Sequence, residues 1–382
     1  IYGTCESVPW RRSRGLLPQI PRRLKGLATA TCGRGRALSC ETPMPKPQTI
    51  LCPKPAGLYC PPGDFYIDPV RPVARGVITH GHSDHARSGH GAVVATAQTL
   101  AIMAARYGED FAGATEAVKY GQTIERDGVQ ITLVPAGHIL GSAQAVIRAQ
   151  GMTFVVSGDY KRRRDPTCPP FEAVPCDVFV TEATFGIPVF NFPDASDEVA
   201  RLLKSVKQFP ERTHLVGAYA LGKAQRIIRL LREAGYDAPI YTHGAMQTLN
   251  TLYERFGVDL GPLAPATVEK GAKKDFAGAI VIAPPSSIDD KWSRRFADPL
   301  PAFASGWMRV RARARQRQVE LPLVISDHAD WTELTETISE IAPGEVWITH
   351  GGEDALLRWC ELKGQKARAL SLVGYDADEG EA

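Results

Sequence analysis

Short apolar runs separated by turn residues fill the chain after residue 64. Seven of these runs are bounded by Gly, Pro, Asp or Arg and have the length of strands: DFYID, RGVIT, AVVAT, VQITLVPAG, AQAVIRA, MTFVVSGD and DVFVTEA. One helical pattern interrupts them, at residues 97–108, and a glycine ends it. The pattern predicts a strand-rich unit with few helices.

After Pro188 strands and helices alternate. The pattern predicts helices at 196–207, 222–233 and 245–256, and each is followed by an apolar run: THLVGAYA, APIYTH and GAIVIAPP in turn. This βα repetition is typical of a parallel, doubly wound sheet. From Leu321 two more strand patterns alternate with helices predicted at 332–341 and 354–363. We therefore predict an α/β protein in which an insertion, 186–320, splits one domain into the parts 44–185 and 321–382.

Composition excludes two classes of protein. With 44% apolar and 23% charged residues in 382 the chain is not disordered, and no apolar run approaches the ~18 residues that span a bilayer.

Residues 1–43 hold eight Lys/Arg against Glu6 and Glu41 but no apolar core of a secretory signal. We interpret them as a disordered or non-native extension before a natural start at Met44, in preference to a transit peptide. Eight scattered cysteines favour a reducing cytoplasm.

The chemistry concentrates in the run HGHSDH, which follows the predicted strand GVIT. On extended backbone, residues i and i+2 face the same side, so His80 and His82 can converge on one ion. The turn that follows directs Asp84 and His85 at a neighbouring point. Four potential ligands in six residues predict two adjacent metal ions.

Other polar residues end predicted strands in the same way. His138, Asp159, His328 and His350 each follow or end an apolar run, as a metal centre built from several strand ends requires. We assign His90 to the surface and His214 and His243 to ordinary structure.

This order of motifs resembles the metallo-β-lactamase superfamily, specifically its β-CASP branch of nucleic-acid nucleases. The series is an aspartate, H-x-H-x-D-H, a histidine, an aspartate, the E-x-T-x-G of TEATFG and two further histidines, and the resemblance extends over residues 57–375. It implies an αββα sandwich with an inserted Rossmann-like β-CASP domain.

The resemblance also implies a role for each matching residue. Metal ligands are expected at His80, His82 and His138 for one ion, Asp84, His85 and His350 for the other, with Asp159 bridging. Asp68 is expected to orient the histidines, and Glu182 to hold His328 beside the scissile phosphate or leaving group; with Asp84 these form the expected catalytic set. Two divalent ions, Zn²⁺ and/or Mn²⁺, would supply a hydroxide at neutral pH by lowering the pKa of water towards ~7.

Basic residues near this centre are candidates for nucleic-acid contacts. Lys161 and Arg162 directly follow Asp159, and Lys223 opens a helix in a tract that resembles the ALG-x-A-Q signature of the β-CASP insertion. Arg311 and Arg313 belong to MRVRARARQRQ, whose alternation would place a row of arginines on one face of a strand.

Three functions remain in competition. The tracts GLYCPPGDFYIDPVRP, SGDYKRRRDPTC and VISDHADW resemble bacterial exonucleases associated with an ATP-dependent DNA ligase and a helicase, which implies DNA repair. His350 favours an RNA nuclease, because DNA-acting eukaryotic members usually carry valine at that motif. A non-catalytic binding scaffold is the third, although every motif position is filled. We favour a DNA exonuclease.

Overall fold

The computed structural model describes residues 45–267 and 276–370, so the predictions for residues 1–43 lie outside the described part. Strands are numbered in chain order. They are Cys52–Lys54 (β1), Gly57–Cys60 (β2), Phe65–Ile67 (β3), Arg75–Val77 (β4), His90–Ala95 (β5), Ala112–Ala117 (β6), Thr123–Arg126 (β7), Val129–Pro135 (β8), Ala143–Ala149 (β9), Met152–Val156 (β10), Val178–Ala183 (β11), Thr213–Gly217 (β12), Ile240–Thr242 (β13), Leu263–Pro265 (β14), Ile280–Ala283 (β15), Pro299–Ala304 (β16), Leu321–Leu323 (β17), Glu345–Gly351 (β18) and Ala367–Ala369 (β19).

Helices connect these strands, and five of the six predicted ones begin and end within one residue of their prediction. The helices are Pro47–Ile50 (α1), Ala97–Tyr107 (α2), Ala195–Gln208 (α3), Lys223–Glu233 (α4), Gln247–Arg255 (α5), Pro285–Ile288 (α6), Arg311–Gln316 (α7), Trp331–Ile341 (α8) and Glu353–Leu362 (α9). Short 3₁₀ turns lie at Pro61–Gly63, Gly244–Met246, Ser293–Arg295 and Gly306–Arg309. No helix among the described residues has the length and apolar character needed to cross a bilayer.

Two sheets pack face to face around a shared apolar core. The first has the order β1 to β6 and the second the order β19-β18-β11-β10-β9-β8-β7. Phe65 and Leu58 from the first sheet meet Leu133, Phe154 and Trp347 from the second, each at most 2% exposed. Their apolar burial is the main stabilising term for this part of the fold.

Helices cover the outer faces of both sheets. Met103 of α2 packs on Val93 of the first sheet, and Leu334 of α8 and Leu356 of α9 pack with Phe179 of the second. The layers are therefore helix, sheet, sheet, helix, which confirms the predicted αββα sandwich.

The third sheet is entirely parallel, in the order β14-β13-β15-β12-β16-β17. Leu202 of α3, Ile227 of α4 and Tyr253 of α5 share a buried core with this sheet. This is the Rossmann-like arrangement predicted for the insertion. Strand β17 pairs with β16, so this sheet extends three residues past the predicted boundary at residue 320.

The arginine-rich tract does not form the predicted strand. Arg311–Gln316 is helix α7, preceded by a 3₁₀ turn at Gly306–Arg309. Arginine and alanine are both strong helix formers, and the tract lacks the apolar face that would bury one side of a strand. Ala314 alone in this helix is buried. On a helix, Arg311 and Arg313 point in different directions instead of forming a row.

Candidate metal centre

Most of the predicted ligands lie where strands of the two packed sheets end. His80 and its neighbours follow β4, His138 follows β8, and Asp159 follows β10. His350 is the penultimate residue of β18. Side chains that are far apart in the sequence thereby meet at one edge of the sandwich.

Asp159 lies at the middle of this group and is 5% exposed. Its Oδ2 is 3.3 Å from His80 Nε2, 3.5 Å from His85 Nε2, 3.7 Å from His138 Nε2 and 3.9 Å from His328 Nδ1. One carboxylate oxygen therefore faces four imidazoles, as expected of a ligand shared between two ions.

A chain of hydrogen bonds fixes the orientation of His80. The Thr79 hydroxyl donates to Asp68 Oδ2 at 2.6 Å and lies 3.1 Å from His80 Nδ1. Since the hydroxyl has a single hydrogen, it can only accept from His80, so Nδ1 carries the proton and Nε2 carries the lone pair. Asp68 also accepts from the Thr79 amide at 2.7 Å and from His85 Nδ1 at 2.8 Å. Asp68 thus orients both histidines, directly or through Thr79.

Backbone carbonyls fix the other two imidazoles of the first predicted set. His138 Nδ1 donates to the Asp327 carbonyl at 2.8 Å, and His82 Nε2 donates to the Leu221 carbonyl at 3.3 Å. The remaining nitrogens, His138 Nε2 and His82 Nδ1, lie 2.9 Å apart with their lone pairs facing each other. A cation bound between these two nitrogens would offset the repulsion of their lone pairs.

The donor set fits a divalent cation. The ligand atoms of His80, His82, His138 and Asp159 all lie within 4.8 Å of one another. Nε2 of the wholly buried His80 has no hydrogen-bond partner among the described residues, although it faces Asp159. Imidazole nitrogens with carboxylate oxygens suit zinc and manganese alike.

The second predicted ligand set, Asp84, His85 and His350, is less closely grouped than the first. His85 Nε2 lies 3.7 Å from Asp84 Oδ2, and the His85 and His350 rings stack with centroids 5.2 Å apart. His350 has a left-handed backbone (φ 60°), which is unusual for a residue other than glycine. The structure brings these three residues beside Asp159; their role as ligands of a second ion stays a prediction.

Glu182 and His328 form a buried pair next to Asp159. Glu182 Oε2 accepts from His328 Nδ1 at 2.9 Å, while its Oε1 accepts from the Tyr160 amide at 2.7 Å. The ligand atoms of Asp159, Glu182 and His328 also lie within 4.8 Å of one another. Because Nδ1 of His328 is engaged by Glu182, Nε2 is the nitrogen through which this ring can act on a bound molecule.

Comparisons with known proteins point to one family. No family model matches the chain. A protein of Opitutus terrae named "Probable DNA ligase" is 29% identical over 325 residues, which is 82% of this chain and 30% of that protein. Cleavage and polyadenylation specificity factor subunit 3 of Dictyostelium discoideum is 26% identical over 308 residues, 68% of this chain and 40% of that protein. Endoribonuclease ysh1 of Aspergillus fumigatus is 34% identical over 123 residues, 31% of this chain and 14% of that protein.

These relatives are β-CASP proteins of the metallo-β-lactamase superfamily, and the chain is similar to them. It spans less than half the length of each of these three relatives. The predicted β-CASP motif residues, from Asp68 to His350, are grouped around Asp159, as described above.

Burial and charge shift the pKa values of the histidines in this candidate centre in opposite directions. Burial lowers the pKa of His82 to about 4, with nearby His80 adding to the effect. Burial and the neighbouring His85 also lower the pKa of His350 to about 4. For His85 burial acts in the same direction, but Asp159, Asp84 and Asp68 outweigh it and raise its pKa to about 10. The surrounding carboxylates therefore favour the protonated form of His85, whereas burial favours the neutral forms of His82 and His350.

Metal loading is expected to release a proton from His85. Its pKa of about 10 keeps it protonated at neutral pH, whereas only a neutral imidazole binds a metal ion. We expect release of about one proton per loaded centre near neutral pH, and an affinity that rises as the pH increases towards the pKa of His85. Calorimetric titration in two buffers of different protonation enthalpy measures the proton count. Binding that releases no proton and is independent of pH would contradict this assignment.

The two lysines expected to contact nucleic acid are not at the surface. Lys161 is 1% exposed and its Nζ lies 2.5 Å from Asp165 Oδ2. Lys223 is also 1% exposed and lies 3.6 Å from Asp327 Oδ2. The structure corrects the prediction for both, because a buried, paired ammonium cannot reach a phosphate backbone. A buried lysine requires such a partner.

The predicted arginines differ in accessibility. Arg162 is half-buried and pairs with Glu340. Arg311 and Arg313 are exposed, and the Arg313 guanidinium lies 3.9 Å from the centre of the Trp307 ring. Contact of these arginines with nucleic acid stays a prediction.

Several residues that shape the centre escaped the sequence analysis. Thr79 and Asp327 hold two of the predicted ligand histidines, and the only signal was that each directly precedes a motif histidine. His90 was assigned to the surface but is 2% exposed, because its Nδ1 accepts from the Val73 amide at 3.3 Å in the interior. His214 hydrogen-bonds Ser205 at 2.9 Å, away from the centre.

Proposed function

We propose that the chain is a metal-dependent nuclease that hydrolyses phosphodiester bonds, with DNA as its substrate. The observation that carries this proposal is the convergence of His80, His82, His138 and Asp159 beside the Glu182–His328 pair. When bound, divalent cations such as Zn²⁺ or Mn²⁺ neutralise phosphate charge and lower the pKa of water.

Residues around the centre orient the histidines and contact the substrate. Asp68 holds His85 and, through Thr79, His80 in the tautomers that direct their Nε2 atoms towards Asp159. Glu182 orients His328 so that its Nε2 can donate a proton to the departing oxygen or hydrogen-bond the phosphate. The parallel third sheet and its helices supply a wall beside the centre, where the Leu221 carbonyl holds His82.

A DNA substrate is favoured by the extended resemblance to bacterial exonucleases and by the relative named "Probable DNA ligase", whose matched segment covers 82% of this chain. We infer exonuclease action in DNA repair, in the cytoplasm, together with an ATP-dependent DNA ligase and a helicase. RNA processing is the second candidate, because the chain carries His350 at the last motif and is similar to relatives named as an endoribonuclease and a polyadenylation factor.

Degradation of matched oligonucleotides distinguishes these candidates. Single-stranded DNA and RNA of equal sequence, labelled at the 5′ or 3′ end, are incubated with the metal-stripped protein plus Mn²⁺ or Zn²⁺. We expect DNA to be shortened stepwise from one end, and no cleavage in excess chelator. Faster cleavage of RNA at internal positions would replace the DNA proposal with the RNA one. Cleavage of neither would overturn the nuclease proposal.

The exposed arginines of α7 are expected to affect substrate affinity and not the chemical step. In the variant Arg311→Gln/Arg313→Gln we expect KM to rise several-fold with kcat unchanged. The slope of log affinity against log salt concentration should become shallower by roughly the amount that one to two phosphate contacts contribute. Arg148→Gln, at an exposed position on β9, is the control. Wild-type KM and salt dependence in the double variant would exclude α7 from the substrate path.

A further inference from the structure

Five charged side chains are buried where α4 meets the segments around Asp159 and His328. Each is at most 6% exposed: Lys161, Asp165, Lys223, Arg226 and Asp327. Charged groups are rarely buried without partners, because removing an ion from water is energetically unfavourable. The contacts within the cluster offset this cost.

The five form one continuous network. Lys161 Nζ lies 2.5 Å from Asp165 Oδ2, and Arg226 Nε lies 3.3 Å from the same oxygen. Arg226 Nη1 lies 3.3 Å from Asp327 Oδ1, and Lys223 Nζ lies 3.6 Å from Asp327 Oδ2. Arg226 therefore bridges the two carboxylates, one from each segment of the sandwich that α4 faces.

The network ends on the atoms that orient the candidate metal centre. The Asp327 carbonyl accepts from His138 Nδ1 at 2.8 Å, and the next residue is His328. Arg226 also donates to the carbonyl of Ser326, whose hydroxyl accepts from the His328 amide at 3.1 Å. The side chain of Arg226 thus holds the Ser326 carbonyl and the Asp327 carboxylate, directly before the peptide group that fixes His138.

We propose that Arg226 and Lys223 are positioning residues, which set the metal affinity of the His138 site and the placement of His328 by clamping Asp327. The proposal rests on the proposed metal centre. It makes α4, a helix of the parallel third sheet, part of the outer coordination sphere of a centre in the sandwich. Hydrogen-bonded partners of metal-ligating histidines typically affect metal affinity or activity by about 10–100-fold.

Arg226→Met tests the proposal. The variant keeps Lys161 and Lys223 opposite Asp165 and Asp327, so the buried charges still balance. Mn²⁺ is titrated into the metal-stripped protein, with electron paramagnetic resonance reporting the free ion. We expect affinity to fall about 10–100-fold, while thermal unfolding of the metal-free variant remains cooperative.

Arg164→Met is the matched control. Arg164 Nη2 lies 2.8 Å from Glu233 Oε1, so this pair joins the same loop to the same helix, but the Arg164 side chain is 72% exposed. We expect wild-type metal affinity in this variant. Arg226→Lys should recover part of the lost affinity, since an ammonium can pair with one carboxylate but cannot bridge both and reach Ser326.

A kinetic measurement distinguishes loss of His328 positioning from a general destabilisation of the fold. At saturating metal, Arg226→Met should lower kcat with little change in KM, because His328 is misplaced while the substrate surface is intact. Wild-type metal affinity in a folded Arg226→Met, or an equal loss in Arg164→Met, would overturn the proposal. If Arg226→Met does not fold, the same criteria apply to Lys223→Met. If the wild-type protein binds no Mn²⁺, the result would instead contradict the proposed metal centre on which this proposal rests.

Discussion

Asp159→Asn is expected to abolish metal-dependent cleavage. The amide would keep the shape of the side chain but remove the charge that faces His80, His85, His138 and His328 at 3.3 to 3.9 Å. Losing a shared ligand removes several kcal/mol of transition-state stabilisation, so kcat/KM should fall by about 10³-fold or more. Cleavage of end-labelled oligonucleotide, with metal content measured on the same samples, records the effect.

Asp127→Asn is the control for this substitution. Asp127 is exposed, pairs with Arg75 at 2.9 Å at the surface, and has φ 49°. Asparagine is tolerated in left-handed backbone, so the control should fold and cleave as wild type does. Retention of full metal content and activity by Asp159→Asn would show that Asp159 is not a ligand.

His328→Ala is expected to damage the chemical step while leaving metal binding nearly intact. Glu182 holds its Nδ1, and we assign its other nitrogen to a substrate oxygen. Positioned acid–base groups contribute typically about 10²–10⁴-fold, so kcat should fall within that range. Metal affinity should change only a few-fold, because the His328 nitrogen nearest Asp159, Nδ1, is engaged by Glu182. Single-turnover cleavage at saturating metal isolates this step.

Two further variants define the origin of the His328 effect. Glu182→Gln should lower kcat less than His328→Ala, because an amide oxygen can still accept from Nδ1 but no longer stabilises the imidazolium. His243→Ala replaces a histidine that accepts from the Ala245 amide in the third sheet region, and should leave kcat unchanged. If His328→Ala loses metal as fully as Asp159→Asn does, His328 acts as a ligand and the proton-transfer role is wrong.

Strongly periodic segments were predictable from the sequence, and the exposed edge strands β6 and β7 were not. Helix α3 and strand β9 carry long amphipathic or apolar patterns, and their positions agree with the prediction to within one or two residues. Strands β6 and β7 were missed because most of their residues are partly or fully exposed, so they show little apolar signal. Helix α7 was mistaken for a strand because alternation of charge was taken for alternation of burial.

The nucleic-acid contacts were predicted less well than the metal centre, for a physical reason. A metal ligand is recognised by residue type and by its place at a strand end, and both are visible in HGHSDH, PAGHIL and VVSGDY. A basic side chain has no such signature: the same lysine can meet a phosphate or a buried carboxylate. Lys161 and Lys223 met Asp165 and Asp327.

The sequence by itself determined the αββα sandwich with its inserted parallel sheet, and the set of residues from which a metal centre can be built. The inserted parallel sheet follows from local periodicity and the set of candidate ligands from the chemistry of imidazole and carboxylate, whereas the αββα order of layers was implied by the resemblance to the β-CASP branch. The tertiary structure alone decided which nitrogen of each histidine faces Asp159, since that depends on Thr79, Leu221 and Asp327 lying at hydrogen-bond distance. It also decided that the charged side chains around Arg226 are buried and paired with one another. Tautomer and burial are properties of contacts between distant segments, and only the folded chain creates those contacts.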